Sequence, residues 1–451
     1  MNLKRIFLAS TSAAVLAATG ALANDDNAAY LLQQGDGNTA QVQQAAGTGG
    51  NRVGTAANPI LQDGNNNAFR ELQATGGGTY AMGGNVIDAA RQTGDGNSLS
   101  STYTGGSSGN NHIGSATQEG DSNQATVLRN SGANSTLTTL LQQGDSNSMA
   151  LTQQGGSGNT IGNASQVGDG NGSGLVNRWN RGMQLFQQGN NNTINDASIT
   201  GDNNDAEHPT SGAGNVPNPG AHATLDIWQQ GTGNGSVLST AKMVGSGGNQ
   251  IVVDQRGDYN QFLILQGAST GDTQNSARLF QTGNDNTGAG IQSGNRNALA
   301  ITQTGNGNIG GGSQSGNDNA ATIAQLGDNN TAGVSEFGDD NGANVNQTGG
   351  LNNASLTITG DRNGTTAAFT SALIPAGLVS GNIDQTGDLN VATLTVTGND
   401  NAFGLAQNGG SNTITGTVSG NLNQAGVAQT GGGNTATFAQ TGNSNVASIA
   451  Q

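Results

Sequence analysis

Very few residues of this chain are of types that do covalent chemistry. Cysteine is absent, and His112, His208 and His222 are the only histidines in 451 residues. His208 and His222 share one Pro-rich stretch, "DAEHPTSGAGNVPNPGAHAT". A nucleophile needs an adjacent base, and no serine stands in a nucleophile-elbow context. Gly-rich strings such as "GTGGNRVG" lack the Lys-Ser/Thr that follows a phosphate loop, so they read as turn glycines. No catalytic, cofactor-binding or metal site is expected, and no cofactor.

Three weaker patterns remain. Asp36, Asp95, Asp121, Asp145, Asp169, Asp258, Asp328, Asp361 and Asp388 each follow a turn glycine. Stacked carboxylates can recruit calcium, but the ion wants six to eight oxygens, and the Gly-Gly-x-Gly-x-Asp pattern of calcium β-rolls is not kept. A solvated turn that discourages side-by-side aggregation is the plainer reading. Repulsion between such carboxylates predicts faster assembly in acid or with divalent cations. Thr-x-Thr rows at Thr357 and Thr359, at Thr393, Thr395 and Thr397, and at Thr413, Thr415 and Thr417 suit strands. Flat Thr arrays also occur in ice-binding solenoids, though here the rows are patchy along the sequence. Trp179 and Trp228 read as outward aromatics.

Side-chain amides are the abundant chemistry, and their spacing is regular. "NALAITQTGNGN" is followed by "NIGGGSQSGNDN" and "NAATIAQLGDNN". The Gln of each Gln-x-Gly-x-x-Asn unit falls at Gln281, Gln292, Gln303, Gln314, Gln325 and Gln347, then at Gln385, Gln407, Gln429, Gln440 and Gln451. Glu336, Ile358, Val396 and Val418 stand at the same spacing. The Asn falls at Asn286, Asn297, Asn308, Asn319, Asn330 and Asn352, then at Asn390, Asn401, Asn412, Asn423, Asn434 and Asn445. Every step is eleven except the one from Ile358 to Gln385, which reads as two elevens plus five around Pro375, with Phe369 at the marker position.

Such spacing needs elements of one kind. From marker to Asn, Gly and Asn supply the left-handed positions of a tight turn. From Asn to the next marker the residues alternate: Asn297, Leu299, Ile301 and Gln303 share one face, and Ala298, Ala300 and Thr302 the other. Period two means strands, and the glycine density excludes helix. The expected fold is an all-β solenoid of stacked strand–turn–strand rungs, about 22 residues per rung, its handedness left open. Glutamine alternating with Ile or Val at the marker over 347–418 puts Gln on one side of the rung and an apolar residue on the other. A dry unpaired amide costs roughly 2–7 kcal/mol on transfer scales. Stacked on its copy, the same amide bonds both up and down. The named Gln and Asn are therefore expected to form structural ladders. Gln429→Ala with Gln440→Ala is expected to impair assembly, and Thr435→Ala with Thr437→Ala on the other face to matter little.

Residues 1–23 read as a leader: Lys4 and Arg5, an apolar run from Ile6 to Gly20, then Ala21 and Ala23 at a cleavage site before Asn24. Residues 24–280 carry the repeat with longer interruptions and 281–451 carry it regularly, as one solenoid. All five prolines, Pro59, Pro209, Pro217, Pro219 and Pro375, fall in interruptions or turns, where a ladder tolerates them. About 428 mature residues would stack as roughly 16–19 rungs, a rod on the order of 80–90 Å. Loss of the two leader cations takes the formal charge from −16 to about −18, which excludes a nucleic-acid footprint. No membrane span is expected.

The repeat Gln-x-Gly-x-x-Asn-x-Ala-x-x-x-Gln resembles the curlin repeat of bacterial curli fibre subunits. "QTGDLNVATLTV" from Gln385 and "QTGGGNTATFAQ" from Gln429 carry the likeness nearly throughout, and "QSGNDNAATIAQ" from Gln314 is similar. The resemblance implies a secreted functional amyloid: a β-solenoid that polymerises with its own copies into extracellular fibres of the biofilm matrix. It also implies a nucleator subunit and an outer-membrane export machinery as partners. Such subunits have about five repeats and a longer secretion segment; this chain has several times the repeats and hardly any such segment. The alternative class is a monomeric secreted solenoid acting as a calcium-dependent adhesin or ice-binding protein. Polar caps would mark that class, whereas "NVASIAQ" and "AAYLLQQGDGN" read as open strands, which favours the fibre.

Overall fold

A computed structural model of the chain describes residues 6–7, 28–44, 52–73, 86–104, 111–130, 136–154, 160–178, 181–188, 193–200, 224–235, 238–244, 249–267 and 273–451. The leader apart from Ile6 and Phe7, the cleavage site before Asn24, Trp179, His208, His222, Pro209, Pro217 and Pro219 lie outside the described residues. All the described elements are strands, stacked in parallel as a β-solenoid. Two compact units divide the chain, Met1–Lys242 and Met243–Gln451.

In the second unit the strands alternate between two parallel sheets. The first stacks Gln250–Arg256, Ser276–Thr282, Ala298–Thr304, Ala320–Leu326, Gly342–Thr348, Asn382–Thr386, Ala402–Asn408, Gln424–Thr430 and Val446–Ala450. The second stacks Gln261–Gln266, Thr287–Ser293, Ile309–Ser315, Thr331–Phe337, Asn353–Thr359, Val391–Thr397, Thr413–Ser419 and Thr435–Thr441. Most rungs repeat at 22 residues, so Gln303 lies over Gln325 and Gln325 over Gln347. Burial alternates along most of these strands, as in Ala320–Leu326 and Val391–Thr397. Side chains from the two sheets interdigitate to fill a thin core. Leu279 and Leu299 sit where a Cβ on Gly288, Gly290 or Gly312 would be, within 2.3–2.7 Å. Glycine at those inward positions gives the leucines room, since interiors pack without voids.

The step from Ile358 to Gln385 is not two elevens plus five. Gly342–Thr348 pairs with Asn382–Thr386 at an offset of 38, so a single rung carries sixteen extra residues. Asn363 and Gly364 begin the expected strand, Gly364 bridging Gly342. The chain then leaves the sheet and returns at Asn382. Phe369 therefore occupies no marker position. Its ring lies over Gly404 on the outer side of the first sheet, where a Cβ would be 3.1 Å away. The excursion continues across later rungs. The Thr370 and Ser371 N–H groups donate to Gln424 Oε1 at 2.9 Å, and Ser448 Oγ donates to the Leu373 carbonyl at 2.5 Å. Ile374, Pro375 and Leu378 crowd Gly426. Outward glycines at 404 and 426 are what let this strap lie flush.

The first unit follows the same plan with longer rungs. Its strands repeat at 24 residues between Thr136–Gln143 and Thr160–Val167, and at 30 between Ala68–Gln73 and Ser98–Thr104. Strict alternation fails in its first sheet. Val86–Thr93, His112–Glu119 and Thr136–Gln143 each hold one extra residue between the first and second inward side chains, as between Ile87 and Ala90. The extra residue recurs at the same place on each rung, so the ladder skips one pair at each step, Asp88 with Gly114 and Thr138 with Gly114, and resumes in register.

Candidate functional site

Each turn is a short device for binding the next rung. In Gly316-Asn317-Asp318-Asn319, Gly316 (φ 125°) and Asp318 (φ 59°) take the left-handed conformations. The Gly316 N–H donates to the Ser293 carbonyl (3.1 Å), and the Asp318 N–H to the Asn295 carbonyl (2.9 Å). The Asn317 N–H donates to Asp339 Oδ1 (2.7 Å), and the Asn319 N–H to Asn297 Oδ1 (3.1 Å). Two amides thus reach one neighbouring rung through backbone, and two use side-chain oxygens. All four N–H groups of this turn are bonded, which is the accounting a stacked backbone requires.

The Asn side chains clamp rungs on both sides. Asn308 Nδ2 donates to Asn286 Oδ1 (3.1 Å) below and to the Gly327 carbonyl (2.7 Å) above. Asn297, Asn319, Asn330 and Asn352 are placed alike, with Nδ2 on a turn carbonyl. So are Asn286, Asn390, Asn401, Asn412 and Asn423. Asn434 and Asn445 instead close onto Thr430 and Thr441 carbonyls of their own turns. Asn341 and Asn363 belong to the same column. The ladder expected from sequence omits both, although Asn401 and Asn423, behind the non-Gln markers Val396 and Val418, belong to it. The signal was available: Gly338 and Gly360 precede them by three, as in every other unit.

In the first sheet the glutamines form an unbroken ladder. Nε2-to-Oε1 bonds run from Gln255 through Gln281, Gln303, Gln325, Gln347, Gln385, Gln407 and Gln429 to Gln451, at 2.7–3.1 Å. From Gln281 to Gln451 each Nε2 also donates across to the opposite sheet, as Gln303 does to the Thr287 carbonyl at 2.9 Å. One amide thus ties rung to rung and sheet to sheet. The second sheet differs. Gln266, Gln292 and Gln314 form a ladder that ends on Glu336 Oε2 (2.8 Å). Ile358, Val396 and Val418 follow it, then Gln440. Glu336 is fully buried and its Oε1 has no partner. Burial pushes its carboxyl up to about 7, against the lowering effect of the Gln314 bond.

The structure weights the two glutamines of the assembly test unequally. Gln429 bonds Gln407, Gln451 and the Thr413 carbonyl. Gln440 bonds the Gln424 carbonyl, and its Oε1 has no partner. Gln429→Ala is expected to cost about 2–3 kcal/mol, since orphaned buried amides cost roughly 1–3 kcal/mol each. Gln440→Ala is expected to cost about 1 kcal/mol. Paired denaturant titrations check this; equal midpoints would contradict the ladder's role.

The turn aspartates are acceptors as well as charges. Asp95, Asp121, Asp145 and Asp169 each take a backbone N–H from the rung before at 2.6–2.8 Å. Asp328, Asp361 and Asp388 do the same. Arg296 grips Asp318 with two bonds, and Arg362 grips Asp400 likewise. No group of three metal-ligating side chains gathers among the described residues. His112 sits outward with Asp88 (2.6 Å), which Arg52 also holds (2.5 Å). Burial raises the Asp88 carboxyl, but the bonds from His112 and Arg52 outweigh it and hold the group below its usual range. This is a cross-rung ion cluster. Inside the first unit, Arg129 is buried and bonds Tyr103 Oη (2.5 Å) and Gln153 Oε1 (2.7 Å). No repeat spacing announced that arginine. Trp228 is outward and 45% exposed.

Among the described residues no helix is long and apolar enough to cross a membrane. Compared with known families, residues 313–335 match the curlin associated repeat. These residues run from Ser313 to Ser335 and span one full rung, including Gln314, Asn319, Gln325 and Asn330 of the ladders. No curated protein matches the chain.

Proposed function

We propose that the chain is a secreted structural subunit that polymerises with its own copies into extracellular, curli-like amyloid fibres serving matrix, adhesion and aggregation. One observation carries this reading. Each rung presents to the next the same turn N–H groups, carbonyls and side-chain amides, so a rung at an edge offers what an inner rung has already bonded. Edges of that kind template further strands. The curlin associated repeat at 313–335 and the stacked fold support a structural rather than a catalytic role. The leader-like residues 1–23 support export, and a nucleator and an outer-membrane pore are the partners such a route would use.

The purified mature chain is expected to form fibres unaided. Their diffraction should show spacings of about 4.7–4.8 Å and ~10 Å. A chain that stays monomeric for weeks at high concentration, with no thioflavin response, defeats the proposal.

A further inference from the structure

The outer face of the second sheet, over its last four strands, is a lattice of threonine. Asn353–Thr359, Val391–Thr397, Thr413–Ser419 and Thr435–Thr441 pair in parallel without a register shift. Their sixteen outward positions hold eleven threonines and two serines, with Asn353, Val391 and Ala439, and no charge. That is notable in a chain of formal charge −16. Nearly all sixteen are exposed. The rows that look patchy along the sequence are split there by the strap and by the intervening first-sheet strands. Folding brings them into columns: Thr393 on Thr415, Thr395 on Thr417, Thr397 on Ser419.

Two features make this face a ruler. Neighbouring rungs lie about 4.8 Å apart, and outward residues on one strand about 6.5–7 Å apart. Threonine's β-branch leaves few χ1 choices, so methyl and hydroxyl repeat with the backbone. The result is a net of hydroxyls separated by methyls, with spacings close to the oxygen repeats on a face of ice. Water seated between such rows keeps its hydrogen bonds while the methyls restrict its orientations. The outer face of the first sheet has no such lattice: its threonines, such as Thr302, Thr322 and Thr348, are scattered among Ala298, Ala320, Leu326 and Asn344, and further on the strap covers it.

We infer that the threonine face spanning Asn353–Thr441 binds ordered water and adsorbs to ice, as a function separate from polymerisation. The inference does not rest on the fibre reading, because it needs only the folded second unit.

The test is ice-affinity partition and recrystallisation inhibition with the full mature chain. Thr395→Lys with Thr417→Lys places two charges in the centre of the net. Ala298→Lys with Ala320→Lys places the same charges on stacked, exposed positions of the other sheet. Unchanged β-type circular dichroism establishes that both variants fold. The parent and the Ala298/Ala320 variant are expected to enter growing ice and to keep crystals small. The Thr395/Thr417 variant is expected to lose both properties. Fibre yield, measured in parallel, should be the same for both variants. Exclusion of the parent chain from ice overturns the inference. So does equal loss in the two variants, and so does a Thr395/Thr417 effect confined to lateral bundling of fibres, which would make the face a contact between copies.

Discussion

Gly349→Ala should break the stack, and Gly350→Ala, one residue on, should leave it intact. Gly349 lies at φ 116°, and a Cβ there would stand 2.2 Å from the Gly387 carbonyl oxygen of the next rung. Its own carbonyl receives Asn330 Nδ2 (2.8 Å), and its N–H donates to Leu326 (2.9 Å). Neither the turn nor the rung above can yield without giving up those bonds. Left-handed strain costs about 1–3 kcal/mol, and overpacking adds about 1–3 kcal/mol, so a loss of about 3 kcal/mol or more is expected. In a solenoid each rung leans only on its neighbours; the damage should therefore split the unit at one interface.

Gly350 has an ordinary φ, and a Cβ there would find 3.4 Å to the nearest atom. Its counterparts on other rungs are Asn306, Asp328 and Asp388, whose side chains accept a neighbour's N–H. Gly350→Asn should accordingly stabilise by about 1 kcal/mol, the usual net worth of such a bond. Guanidinium midpoints of the dilute monomer measure all three variants. Equal midpoints for the two alanine variants would show that the turn is more plastic than its geometry says.

Much of this architecture was legible because the chain repeats itself. One turn rule and one alternation rule, applied every eleven residues, give strands, faces and ladders together. Glutamine against Ile358, Val396 and Val418 even told which sheet is which. Legibility failed wherever a rung departs from the period. The strap could not be placed because 27 residues divide into elevens in more than one way, and only pairing of Asn344 with Asn382 decides. The extra residue in the first unit's strands is invisible to alternation, since it matters only that neighbours share it. Inward glycines in "IGGGSQS" look like a weak strand until Leu299 is seen opposite. The threonine face escaped for a related reason: a sheet surface joins residues 22 or 38 apart, and a reading along the chain sees rows but not columns.

Glu336→Gln should remove a dependence of stability on pH near neutrality. In the folded chain the Glu336 carboxyl is fully buried among uncharged groups. Gln314 donates to one oxygen, and Ile358 lies above where another amide would accept. Desolvation disfavours the ionised form, and the folded value rises from 4.5 to about 7. Between those values the folded chain holds a proton that the unfolded chain has released. Stability is therefore full below about pH 4.5 and falls as pH rises through about 7, then levels off. The span corresponds to a loss on the order of 3 kcal/mol. Glutamine keeps the acceptor for Gln314. It also brings an N–H that can reach the opposite sheet, as Gln314 reaches the Ala298 carbonyl at 3.0 Å. The variant is expected to match the parent near pH 5 and to exceed it at pH 8 by about 2–3 kcal/mol. A titration of the denaturation midpoint from pH 5 to pH 8.5 decides the matter. Parallel curves for parent and variant would mean that Glu336 ionises freely in the fold. The comparison also separates two sources of acid response in assembly. Repulsion among turn aspartates survives in Glu336→Gln. The response of the buried glutamate, near pH 7, vanishes with the substitution.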